Sequence, residues 1–204
     1  MSQQQSATHA AVLELKSERE VAQEAYHFLD EKRLSLAAEL MRQLKRYEQL
    51  QKSMETTSRQ ARKALAKALQ RHGLDGLLVY PPANGLFAEL NQQHSNLMGV
   101  SLLETQLIAA DEGQPVHQQP CNPSTEAEQC TQVFKQLLEQ AAVLAGIGGN
   151  LQRLIKEYRK TERRAKALEN IILPEIDQTL HQMTDHLEEL DMEDVMRVRQ
   201  LKSI

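Results

Sequence analysis

The sequence predicts an all-α chain, a long antiparallel two-helix coiled coil with a small central β-hairpin and loop region. Three observations predict it. Apolar residues recur at alternating steps of three and four in two long stretches, Leu15 to Ala68 and Leu144 to Leu190. Gly and Pro are scarce, 8 and 6 among 204 residues, while the straight-chain helix formers Leu, Ala, Glu, Gln, Lys and Arg are plentiful. There is no Trp, with only three Phe and four Tyr, too few large side chains to fill a broad globular core.

The first helix is expected over residues 6–72. From Ser6 to Arg71 there is neither Gly nor Pro, and Leu15, Ala22, Leu29 and Leu36 repeat at heptad spacing, followed by Leu40, Leu44, Tyr47, Leu50 and Met54. A helix of roughly 60 residues is about 90 Å long. His72-Gly73 supplies the stop, because Gly accepts the left-handed conformation that ends helices. Residues 73–122 then change character, punctuated by Pro81, Pro82, Gly85, Gly99, Gly113, Pro115, Pro120 and Pro123. Within them Asn96 to Ala110 alternates imperfectly and reads as a β-hairpin, which needs a partner or neighbouring helix ends to cover it.

The second long helix is expected over residues 123–200. Ser124 offers a cap, and Glu126 and Glu128 place negative charge in the first turn. Gly146, Gly148 and Gly149 either admit another helix closely or mark a weak joint. Ile172, Ile176 and Leu180 form two successive steps of four, a stutter, and Leu36, Leu40 and Leu44 show the same irregularity. Facing the two stutters puts Leu44 opposite Ile172, Leu15 near Leu201 and Ala68 near Gly148. Pro174 should bend this helix gently. Small residues on the seam, Ala61, Ala64, Ala68 and Ala165, permit close packing.

A formal charge of -4 gives no general attraction to nucleic acid or acidic membranes. Charge is nonetheless segregated. Nine basic residues lie between Arg42 and Arg71 against Glu48 and Glu55, and five lie from Arg159 to Lys166 against Glu162. In the stutter register these form one basic belt, while Glu14, Glu18, Glu20 and Glu24 join Asp185 to Asp194 as an acidic collar. Cys121 and Cys130 are too isolated for a disulfide framework or a zinc site. The opening MSQQQSATHA has no apolar core, so no secretory signal is expected, and no apolar run reaches the roughly 20 residues of a membrane span. There is no Walker-type loop, and the Gly146, Gly148, Gly149 cluster lacks the third glycine and preceding strand of a dinucleotide site. His181 and His186 are five apart and do not share a helix face as metal ligands would. Asn122-Pro123-Ser124 is excluded as a glycosylation acceptor by its proline.

Three segments carry a resemblance, in the right order along nearly the whole chain. They are Arg163-Arg164-Ala165-Lys166-Ala167-Leu168-Glu169 shortly before Pro174, Asn96-Leu97-Met98-Gly99-Val100, and Leu29 to Leu36 with Lys32-Arg33. The sequence resembles the D subunits of the V-type (A/V-type) rotary ATPases. It departs from the family pattern at Asp30, Leu102, Ala165 and Lys166.

The resemblance implies a non-catalytic central rotor shaft without a cofactor. Its partners would be the A, B and F subunits and the rotor-coupling (C/d) component. It would sit on the cytoplasmic face of a membrane only through the complex. Partner contacts are expected at Lys45, Arg46, Arg163 and Arg164 and at the hairpin residues Asn96, Met98, Gly99 and Val100. Periodicity alone also admits a homodimeric coiled-coil adaptor, and the basic runs a nucleic-acid-binding helical hairpin.

Overall fold

A computed structural model describes residues 8–78, 88–109 and 122–202. The stretches around Pro81 and Pro82 and from Gly113 to Cys121 lie outside them, as do Ser6 and Ala110. The elements are α1 (His9–Leu78), β1 (Ala88–Leu97), β2 (Val100–Ala109), α2 (Thr125–Ala167), a π-helical turn (Leu168–Ile172) and α3 (Leu173–Lys202). The fold is the predicted one, an all-α helical hairpin with one two-stranded antiparallel sheet.

Burial along α1 follows an unbroken alternation of three and four. Leu36, Gln43, Thr57, Ala61 and Ala68 are buried, with Leu40, Tyr47, Leu50, Met54 and Ala64 half-buried between them. The expected stutter in this helix does not exist. The seam residue after Leu40 is the polar Gln43, and Leu44 points away, 37% exposed. The small residues do line the seam, Ala61, Ala68 and Ala165 being at most 2% exposed.

In the second strand of the coil the irregularity is real but takes another form. Leu168 and Leu173 are both half-buried, five residues apart, while Ile172 is 39% exposed. The extra residue is absorbed as a π-turn closed by the Leu173 N–H donating to the Leu168 carbonyl. That wider turn stands immediately before Pro174, where an α-helix would lose a hydrogen bond and meet the proline ring. A π-turn replaces the simple bend expected there.

The chain divides into two compact units, residues 1–35 with 158–204 and residues 36–157. In the first, α1 runs antiparallel to the later helices. Arg19 Nε lies 2.6 Å from Asp177 Oδ1, and Tyr26 hydrogen-bonds Glu169 in the π-turn, so burial and the adjacent carboxylate raise its phenol. In the second unit α1 runs antiparallel to α2. Arg71 Nη1 reaches both carboxylate oxygens of Glu126, at 2.7 and 2.9 Å, and Tyr47 flanks Gly148.

These pairs correct the register. Gly148 lies beside Tyr47, not Ala68, a shift of about three heptads. Because only one of the two supposed stutters exists, facing them was no constraint. The belt and collar dissolve with that register. The run at Arg159 to Lys166 lies alongside the stretch of α1 around Arg33, whose charge acts on Glu162, whereas Arg71 meets Glu126. Glu14 to Glu24 likewise flank the level of Asp177, not that of Asp185 to Asp194.

At the far end of the second unit Gly73 ends the regular helix as expected, with φ 68 and ψ 175, but a short helical piece continues to Leu78. α2 begins as predicted. Ser124 Oγ accepts from the Ala127 N–H at 3.2 Å and also bonds His72 Nε2 at 2.5 Å, tying the end of α1 to the cap of α2.

The ties between Arg71 and Glu126 make this junction acid-sensitive. Glu126 is held below its ordinary value of 4.5 by its own backbone N–H and then by Arg71. With a folded value below the unfolded one, its stabilising effect is complete above the ordinary value and is lost as pH falls through the depressed one. Lowering the pH from 6 toward 3 should therefore reduce the protection of amides 125–131 relative to their intrinsic exchange rate at each pH in the wild type, and Glu126→Gln should flatten that dependence. Equal pH dependence in both would exclude the tie.

Candidate functional site

The second unit contains a polar junction where the hairpin meets α2. β1 and β2 pair from Ala88↔Ala109 to Leu97↔Val100, so the connection is the two-residue Met98-Gly99. Both residues have positive φ, 49 for Met98 and 84 for Gly99, the pattern of a type I′ turn. Gly99 adopts this conformation freely. Met98 does so at a cost of about 1 kcal/mol, since its Cβ crowds the following carbonyl.

β2 docks by its edge onto α2. Asn150, 2% exposed, closes that edge as a neighbouring strand would: its Oδ1 accepts from the Leu103 N–H and its Nδ2 donates to the Leu103 carbonyl, both at 2.8 Å. Arg153 Nη1 donates to Asn150 Oδ1 at 2.9 Å and to the Ser101 carbonyl at 3.3 Å, orienting the amide. One turn earlier on the same face, Gly146 leaves room for Thr105, whose hydroxyl donates to the Ala142 carbonyl at 2.7 Å. A Cβ on Gly146 would stand 2.2 Å from Thr105 Oγ1. The glycine therefore admits a strand, not the second helix that was one of its expected uses. Val100 and Leu102 in the same strand are each 6% exposed.

The cavity at this junction, bordered by Gln43, Leu103, Thr105, Ile147 and Asn150, measures about 40 Å³. Pockets that hold small molecules occupy roughly 300–1,000 Å³. The junction is built to hold a hairpin, not a substrate.

The expected contact residues are dispersed among these features. Lys45 and Arg46 are exposed on α1, Arg46 lying 3.5 Å from Glu104 of the hairpin. Asn96 and Met98 are exposed, Gly99 holds the turn, and Val100 is buried. Arg163 and Arg164 are exposed on α2 in the other unit, Arg163 Nε donating back to the Arg159 carbonyl at 3.3 Å. His181 and His186 are exposed and face separate carboxylates, Asp185 at 3.5 Å and Glu189 at 3.8 Å.

Asn150, Thr105, Arg153 and Gln43 were not singled out by sequence reasoning. One signal was available: Gly146 and Asn150 are four residues apart, a missing side chain and an amide on one helix face.

Among the described residues no helix is long and apolar enough to cross a membrane. The family model for the D subunit of ATP synthase matches residues 11–203. The chain is 30% identical to the V-type ATP synthase D subunit of Thermotoga neapolitana, covering 96% of this chain and 95% of that protein. It is 25% identical to the A-type ATP synthase D subunit of Methanopyrus kandleri, covering 97% and 85%, and 28% identical to that of Pyrococcus abyssi, covering 97% and 92%.

Proposed function

Because the chain belongs to the family of ATP synthase D subunits, and is thus a component of an ATP synthase complex, we propose that it is the non-catalytic central shaft of a V-type rotary ATPase. It transmits torque between the hexamer of catalytic A and nucleotide-binding B subunits and the membrane rotor. The F subunit and the rotor-coupling component hold its lower part. The complex sits on the cytoplasmic face of the membrane, and the chain meets the membrane only through it.

The observation that carries this reading is α1, regular from His9 to His72 before the break at Gly73 and seamed within each unit by the three–four pattern to antiparallel partner helices. Paired helices resist bending within each unit, which a torque-bearing element requires, and the cavity at the hairpin junction, about 40 Å³, is too small for a substrate. On this reading the basic residues serve two separate contacts. Lys45 and Arg46 serve beside the hairpin, and Arg163 and Arg164 serve with the π-turn, each facing acidic groups of neighbouring subunits.

Mass measurement of the complex isolated from native membranes through this chain tests the proposal. One copy accompanied by A and B subunits is expected; a homodimer without them would contradict it and favour the adaptor reading. For the second contact, reversing Arg163 and Arg164 together to Glu should lower ATP-driven rotation severalfold while leaving the thermal unfolding of the isolated chain nearly unchanged, since both side chains are exposed. Unchanged rotation and assembly would remove these residues from the interface.

A further inference from the structure

We propose that Met98 is an anchor that seats the hairpin in an apolar pocket of a partner subunit, its strained backbone being retained for the sake of that side chain. This rests on reading the hairpin as a partner contact, and it names which residue makes the contact and what chemistry receives it.

Met98 is the only non-glycine residue with positive φ among the described residues. The first position of a type I′ turn favours Asn, Asp or Gly, any of which would hold the same turn without strain. The side chain is 40% exposed at the tip, so a large part of it is left for a partner to cover. The tip is also held firmly. Val100 and Leu102 are buried beneath it, and Asn150 clamps Leu103 from both sides of its peptide group. A fixed hairpin thus carries an unbranched, polarizable thioether outward, a side chain that adapts to irregular apolar pockets.

The surroundings favour a protein pocket over other receptors. From Leu90 to Ser101, His94 is the only side chain able to carry charge, so neither a phosphate backbone nor an anionic lipid surface would be attracted. β1 also lacks, over Leu90 to Leu97, the Lys or Pro that commonly guards a free sheet edge. An uncharged tip can be buried against a partner without stripping water from ions.

The test uses the full chain and, as probe, the ATP synthase assembly from native membranes stripped of this chain. Four forms are compared: wild type, Met98→Asn, Met98→Leu, and a deletion in which residues 88–109 are replaced by a short Gly-Ser linker. Met98→Asn should melt at or above the wild-type temperature yet rebind at least about tenfold more weakly, the loss expected from withdrawing one buried Met side chain. Met98→Leu should stay within about threefold of wild type, as volume-conserving apolar exchanges do. Wild-type affinity in Met98→Asn, or a clear fall in its melting temperature, would overturn the proposal. If the deletion weakens rebinding and Met98→Asn does not, the anchor fails while the hairpin contact stands. If even the deletion rebinds normally, the hairpin contact itself falls.

Discussion

Asn150→Leu is expected to release the hairpin from α2 and to destabilise the second unit by about 2–4 kcal/mol. Leu keeps the branching of Asn at Cγ but is bulkier, and the cavity of about 40 Å³ beside Asn150 and Ile147 can take up part of the excess. The loss would instead come from the Leu103 peptide group, whose N–H and carbonyl both depend on the Asn150 amide at 2.8 Å. Two partially buried backbone groups left unpaired each cost about 1–3 kcal/mol, less whatever water recovers. Arg153 would also lose one of its two acceptors. Urea unfolding measures the total, and amide exchange at Leu103 should rise first. A change below about 0.5 kcal/mol would mean that the edge is not held by this amide.

The second large effect has the opposite sign from helix propensity. Gly146→Ala gains up to about 1 kcal/mol of helical preference, but its Cβ would stand 2.2 Å from Thr105 Oγ1. Thr105 cannot simply rotate away, because its hydroxyl is engaged by the Ala142 carbonyl and its side chain is buried. A net loss of about 1–3 kcal/mol is expected. Gly148→Ala and Gly149→Ala provide the contrast. Their nearest neighbours would lie at 3.8 and 3.6 Å, ordinary contact distances, so each should stabilise by up to about 1 kcal/mol. Combining Gly146→Ala with Thr105→Ala should recover much of the first loss. Three glycines within four positions would thus be sorted by melting temperature alone.

The parts of this fold that are legible in sequence are those governed by periodicity. The seam alanines, the Ser124 cap, the Gly73 stop and the presence of a hairpin near Met98 all follow from local chemistry. The register failed because a heptad position can be filled by a polar residue. Gln43 occupies the seam at 6% exposure, and apolar counting chose its neighbour Leu44. The stutter at Ile172 could not reveal whether the extra residue would unwind the coil or form a π-turn, since both satisfy the same spacing. β1 starts at Ala88, well before the expected Asn96, because Asn91, Gln92, Gln93, His94 and Ser95 carry no strand pattern and become a strand by pairing with β2.

The candidate site was legible only in part. Resemblance pointed to Met98 and Arg163, but Asn150 becomes meaningful only when a strand from 47 residues earlier arrives beside it. Side chains that serve tertiary hydrogen bonds carry no local signature, and buried Asn is rarer than buried Leu for energetic reasons that apply until a partner is present.

The central claim is that this chain turns. It is tested most directly by fixing the ATP synthase complex to a surface through its A or B subunits, attaching a probe particle to this chain, and following the particle under a microscope after ATP is added. The account predicts sustained rotation in one direction that stops when ATP is withdrawn. A complex that hydrolyses ATP while the particle on this chain stays fixed would contradict it.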